Sequence, residues 1–258
     1  MSQPRSALPK ILIGVTLVFL YLPIILLLIS SFNTSRFSSV WGGFSFKWYL
    51  KLFSEPQVLL ALLNSLIVAI SATIASTLMG TFAAFAIHKF RGHLQKAHYG
   101  LIFSPLLLPD LLMGVSLLIF FVFLNLKLGL FTIFLAHTTF CISYVTFVVL
   151  SRLQNFDFSL LEAAWDLGAK PLQVVFKVLL PILGPGIMAA ALLAFTLSID
   201  DFVVTFFVAG PGSQTLPLYI YGMIKYGTTP VINALSAIFL VVTFCIVAFT
   251  EYLKGEEG

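Results

Sequence analysis

The chain has 258 residues with 14 Lys or Arg and 10 Asp or Glu, a formal net charge of +4. Only 9% of its residues are charged and 60% are hydrophobic, against about 25% charged in an ordinary soluble domain. Too few polar groups remain to cover a water-facing surface, so a soluble globular fold is excluded. A mean hydropathy of +1.07 excludes disorder, which requires the opposite composition.

A membrane-spanning helix needs about 20 apolar residues, and charge-poor runs of that size predict six helices within a single transmembrane domain over 1–258. The runs are continuous rather than alternating, which excludes a transmembrane barrel. The first span covers about 11–32. It is followed by SSFNTS rather than a small-residue cleavage site, so it is expected to stay as an anchor. The segment 33–57 carries Trp41, Trp48 and Tyr49, suited to a membrane interface. The second span, about 59–87, carries Thr73, Thr77 and Gly80 at helical spacing, the pattern of a packing face, and Asn64 near its outer end. The loop 88–98 holds His88, His93 and His98, read as solvated rather than as metal ligands.

The third span, about 99–125, is interrupted by Asp110 and contains Pro105 and Pro109, which end or kink helical pieces as Pro23 does in the first. A minimal turn at Lys127 and Gly129 leads into the fourth span, about 130–151. His137 in that span is expected to be hydrogen-bonded inside the bundle. Cys141 there and Cys245 in the sixth span read as small core residues. The fifth span, about 179–209, is interrupted by Asp200 and Asp201, and the sixth covers about 230–252. Between them, Gly210, Pro211 and Gly212 open a segment in which Pro217 starts a short helix, LPLYIYGMIKYG.

Placing the N-terminus inside assigns nine basic residues to inner segments (Arg5, Lys10, Lys89, Arg91, Lys96, Arg152, Lys170, Lys177 and Lys254). Five fall outside: Arg36, Lys47, Lys51, Lys127 and Lys225. That asymmetry favours both termini in the cytoplasm. No basic run exists that would serve nucleic acid, and lipid is the surrounding partner.

The inner segment 152–177 and the residues after it carry the most specific pattern, DFSLLEAAWDLGAKPLQVVFKVLLP over 157–181. Ser159 and Glu162 have capping-box spacing, Ala163 and Ala164 keep one helix side thin, and Gly168 supplies a stop where positive φ is cheap. Pro171 starts a second helical piece. This stretch resembles the EAA loop of ABC importer permeases through Glu162, Ala163, Ala164, Gly168, Leu180 and Pro181, with Val178 where the family usually has Ile. The resemblance implies an all-α membrane protein of the type I importer architecture, with a cytoplasmic coupling helix that docks into a groove on an ATPase. It also implies a second permease subunit, two copies of the ATPase, a periplasmic solute-binding protein and a bacterial inner-membrane location. The chain lacks G-x-x-x-x-G-K-[ST], so ATP hydrolysis is expected in a partner chain, and no catalytic residue, cofactor or metal is expected here.

Three intramembrane acids remain, Asp110, Asp200 and Asp201, each unfavourable by about 2.5–3.5 kcal/mol at a helix centre. Such residues face bundle interiors or polar paths. Neighbours on a helix point about 100° apart, so one of Asp200 and Asp201 is expected to face a given path. SPLLLPD (104–110), FTLSIDDFVV (195–204) and LPLYIYGMIKYGTTPVINALS (216–236) resemble one permease type of spermidine/putrescine importers. That resemblance makes the three acids substrate-path residues for polycations, with Tyr144, Phe202, Tyr219 and Tyr221 as aromatic faces for cation–π contact. Another small organic solute, ion-coupled transport, or helix–helix bonding by the acids are the competing readings. An intramembrane aspartyl protease is the fourth, but its G-x-G-D signature is absent.

Overall fold

The computed structural model describes residues 8–35, 40–89, 92–226, 230–241 and 244. These residues are helical apart from turns, short connections and an isolated bridge between Asn33 and Phe44. A chain this apolar has little choice, because in hydrocarbon every backbone group must be bonded within its own segment.

The described residues fall into two compact units. One comprises the residues up to Leu59 together with those from Ile220 onward; the other is Leu60–Tyr219.

In the first unit, α1 (Leu8–Ser31) is apolar around its circumference and exposed along its length. A hook follows it, organised by the buried Asn33. Its Nδ2 donates to Val40 O (2.7 Å), its Oδ1 accepts from Gly42 N (2.8 Å), and its carbonyl receives Trp48 Nε1 (2.6 Å). Phe32, Phe44, Phe46 and Tyr49 pack their rings together beside α2 (Lys47–Ser54). Helix α12 (Val231–Val241) is the described part of the expected sixth span. The remainder of that span, including Cys245, lies outside the described residues, as do Arg5, Arg36, Arg91 and Lys254.

The second unit takes in most of α3 (Pro56–Lys89), then α4 (His93–Leu107), α5 (Asp110–Phe123) and α6 (Leu130–Gln154). It continues through α7 (Ser159–Asp166), α8 (Pro171–Val174), a π turn (Val175–Leu179), α9 (Leu180–Ile199) and α10 (Val203–Val208). It ends at the start of α11 (Leu216–Tyr226), the short helix expected from Pro217. Helix α6 is the centre, with Ile133, Ala136, Cys141, Val145 and Leu153 fully enclosed among α4, α9 and α10. The close approach of α3 to α6 rests on Gly80, where a Cβ would strike Val145. Thr73 and Thr77, grouped with Gly80 from their spacing, have buried hydroxyls with no hydrogen-bond partner among the described residues.

Four helical stretches are long and apolar enough to cross a membrane: Lys10–Ser31, Pro56–Lys89, Leu130–Gln154 and Pro171–Ile199. They correspond to expected spans one, two, four and five, and the last starts earlier than 179 because α8 and the π turn run straight into α9. The expected third span is a broken pair, Gln95–Leu107 and Asp110–Phe123, bent by 114°. The cause is local. Leu108 precedes a proline and is extended (φ −83°, ψ 135°), and Pro109 (φ −58°, ψ 137°) has no N–H to continue the ladder. Asp110 then opens the second piece rather than interrupting a continuous one.

Candidate functional site

The two breaks, between α4 and α5 and between α9 and α10, meet at one cavity of about 270 Å³. Its wall includes Asp110, Asp200, Asp201, Tyr144 and Phe202, with Pro105, Met113, Phe140 and Leu197 as apolar surface. Five of the seven expected path residues are thus brought together. Tyr219 and Tyr221 stand on α11 and are not part of this wall; Tyr219 is buried at the end of the same unit, and Tyr221, which is exposed, belongs to the other.

The adjacent acids differ in kind. Asp200 caps the end of α9, and its side chain is exposed beside the cavity; Asp110 is exposed at the start of α5. Asp201 also borders the cavity, but its carboxylate is largely buried and bound by protein donors. Its Oδ1 accepts from Val204 N (3.3 Å) and its Oδ2 from Thr205 N (2.8 Å) and Thr205 Oγ1 (2.8 Å). Asp201 is therefore an acceptor at the head of α10, which satisfies N–H groups that a new helix leaves unbonded. The signal lies in D-F-V-V-T, an Asp three and four residues ahead of those amides, but a run read as one interrupted helix has no second start to cap. His137 faces the same oxygen at 3.2 Å and is wholly buried, in agreement with its expected place inside the bundle. Cys141 is likewise a buried core residue.

The second candidate region is the 152–177 segment. Helix α7 forms where expected, but its start differs from the expected capping box. Ser159 is the first helical residue, and Asp157 Oδ1 accepts its N–H at 3.0 Å. That bonding, first through the Ser159 side chain and then its backbone, holds the exposed Asp157 carboxyl below its ordinary range. The support it gives the helix start is thus present above the ordinary carboxylate range and is lost as pH falls through the lowered value. At the other end Gly168 takes φ +81°, with its N–H on Trp165 O (2.8 Å) and that of Ala169 on Ala164 O (3.0 Å). This is the left-handed stop that glycine permits.

Leu161 anchors the inner side of α7 and is buried, and Ala164 packs on the core. His88, expected to be solvated, stacks instead on Phe158 (4.9 Å, 8°), because the end of α3 runs alongside the segment. Glu162 and Ala163 face outward, together with a broad apolar surface: Leu160, Trp165, Leu167 and Leu172, the last two 88% and 72% exposed. Leu180 is half-buried and Pro181 exposed at the head of α9. The π turn immediately before is closed by Leu180 N on Val175 O. A widened turn there suits Pro181, which has no N–H to give the carbonyl of Lys177. No cluster of metal-ligating side chains occurs among the described residues.

An all-α, multi-pass bundle with broken helices at a polar cavity and an external elbow of this form defines a membrane permease. Residues 76–254 match the family described as binding-protein-dependent transport system inner membrane component, and the chain belongs to that family. It is 39% identical over 244 residues, covering 95% of each chain, to the spermidine/putrescine transport system permease protein PotC of Haemophilus influenzae. To PotC of Escherichia coli K12 it is 40% identical, covering 93% of each, and to the putrescine transport system permease protein PotI of the same strain 43%, covering 89% of this chain and 84% of the relative. Among solved structures, a bacterial ABC transporter that imports the acidic polysaccharide alginate superposes with a TM-score of 0.74 at 16% identity, covering 98% and 99% of the two chains. The MetNI methionine ABC transporter gives 0.61 at 20% identity, covering 76% and 94%. These two likenesses establish the fold, that of type I ABC importer permeases.

Proposed function

We propose that this chain is the permease subunit of an ATP-driven importer and forms half of the passage for polyamines such as spermidine and putrescine. The observation that carries the reading is the cavity, which sets two exposed carboxylates, Asp110 and Asp200, beside Tyr144 and Phe202. A flexible polycation needs that chemistry: separated negative charges and aromatic faces in a medium of low dielectric. Relatives named for spermidine and putrescine transport at about 40% identity over nearly the whole chain support the same substrate class. In this reading Tyr219 and Tyr221 supply aromatic faces elsewhere along the passage, and Asp201 serves as scaffold.

The chain is non-catalytic. Both termini and α7 lie on the cytoplasmic side of a single transmembrane domain, a second permease completes the passage, and two ATPase copies supply the energy. A periplasmic solute-binding protein delivers substrate. Support for ATPase docking comes from the exposed apolar side chains that flank Glu162, namely Leu160, Trp165, Leu167 and Leu172. Ser159, Ala163, Ala164, Gly168, Leu180 and Pro181 shape that elbow and its joint to α9.

Uptake into proteoliposomes holding the assembled importer tests both parts. Asp110→Asn and Asp200→Asn should each lower polyamine uptake about tenfold or more, the scale of losing a hydrogen bond to a charged group. Unchanged uptake in both would refute the path. Glu162→Arg or Gly168→Trp should uncouple ATP hydrolysis from uptake while the membrane bundle still assembles. Uptake driven by a proton gradient without the ATPase would refute the mechanism altogether.

A further inference from the structure

His137 stands about two turns into α6 with no exposed surface, and its two ring nitrogens reach opposite sides of the gap between α9 and α10. Nδ1 is 2.7 Å from Ser198 Oγ, in the last turn of α9. Nε2 is 2.9 Å from Thr205 Oγ1, in the first turn of α10, and 3.2 Å from Asp201 Oδ2 within the gap. The hydrogen on this side can be assigned. The Thr205 hydroxyl gives its proton to Asp201 Oδ2, so its oxygen is left to accept, and an ionised carboxylate only accepts. Nε2 therefore carries a hydrogen, donates it to Thr205 Oγ1, and keeps that N–H at 3.2 Å from Asp201 Oδ2.

Counting the amides of Val204 and Thr205, both oxygens of the Asp201 carboxylate accept from donors of its own chain. Asp200, the preceding residue, sits at the same break, has an exposed side chain and borders the cavity. Where the Asp200 carboxylate stands is therefore decided by whatever holds the break, and the group that touches both of its sides is one imidazole.

We infer that His137 is a positioning residue for cation capture: by clasping Ser198, Asp201 and Thr205 it fixes Asp200 on the cavity wall and removes Asp201 from the set of substrate ligands. The inference rests on the polyamine-passage reading above. It assigns the two neighbouring acids opposite tasks, one facing the substrate and one facing the protein.

The test uses the assembled importer, with ATP-driven putrescine uptake resolved into KM and kcat. His137→Phe keeps a planar ring and deletes both nitrogens; it should raise KM about tenfold or more, the scale on which a charge loses a well-placed partner, with a much smaller change in kcat. His137→Gln, whose amide still donates toward Asp201 and Thr205, should recover most of that loss. In an Asp200→Asn background, His137→Phe should add nothing further, because the effect passes through Asp200. An unchanged KM, a full additional loss in the Asp200→Asn background, or failure of both His137 variants to assemble would overturn the inference, the last by marking a purely structural role. Asp200→Asn alone leaving KM unchanged would instead overturn the reading of the cavity itself. An Asp200→Asn defect with normal KM in His137→Phe would remove only the positioning role.

Discussion

The two helix breaks at the cavity are made in different ways. The break at Leu108 and Pro109 is covalent: a ring locks φ, an N–H is missing, and the preceding residue is pushed extended, whatever surrounds it. The break at Asp200–Phe202 contains no proline or glycine, and its backbone could have continued as helix. It persists because the Asp201 carboxylate bonds forward to the amides of Val204 and Thr205 while His137 holds it from another helix. A covalent break is fixed by one residue, and a bonded break depends on partners distant in sequence. Only the second can be released by a side-chain change that leaves the backbone chemistry intact.

The largest expected effect follows from that contrast. Asp201→Ala removes the acceptor from the head of α10 and leaves His137 buried without its carboxylate. It should destabilise the purified complex by about 3 kcal/mol, because several buried donors lose one shared acceptor, seen as a marked fall in thermal stability. A melting temperature within a degree or two of wild type would break the comparison. Next comes Gly114→Val, where α5 crosses α10: a Cβ there meets the Phe207 ring at 2.7 Å and Val204 Cα at 3.3 Å. Overpacking at that crossing should destabilise by about 1–3 kcal/mol and disturb both breaks together, read as lower melting and weaker uptake. Pro109→Ala should be the mildest, below about 1 kcal/mol, since alanine can hold the same extended backbone and mainly loses the proline's restriction of the unfolded chain. A Pro109→Ala loss as large as that of Asp201→Ala would show that the two breaks are not distinct in kind.

The difference also explains how much of the molecule is legible in its sequence. Pro109, Gly168, and the apolar runs of α1, α3, α6 and α9 are local determinants, so the spans, the left-handed stop and the site of the elbow can be read from the residues alone. Asp110 and Asp200 stand out because lipid tolerates few charges. The division of labour between Asp200 and Asp201 is not legible, because it is decided by His137, 64 positions ahead of Asp201 in numbering (201 − 137), and by a hydroxyl at Thr205. Helix α7 starts one residue ahead of the expected position, with Phe158 at the cap and Asp157 accepting from Ser159 N, since Ser159 and Asp157 both suit a helix start and only the backbone path chooses between them.

The π turn at Val175–Leu179 sets the angle at which the elbow is presented. A π turn houses one residue more than an α turn, and each helical residue carries about 100° of rotation and about 1.5 Å of rise. Glu162 and Trp165 therefore face the direction they do, relative to α9, because of one surplus residue just ahead of Pro181. Deleting a single residue from that turn would keep the sequence of α7 intact and turn its outward residues about a quarter of a circle relative to α9.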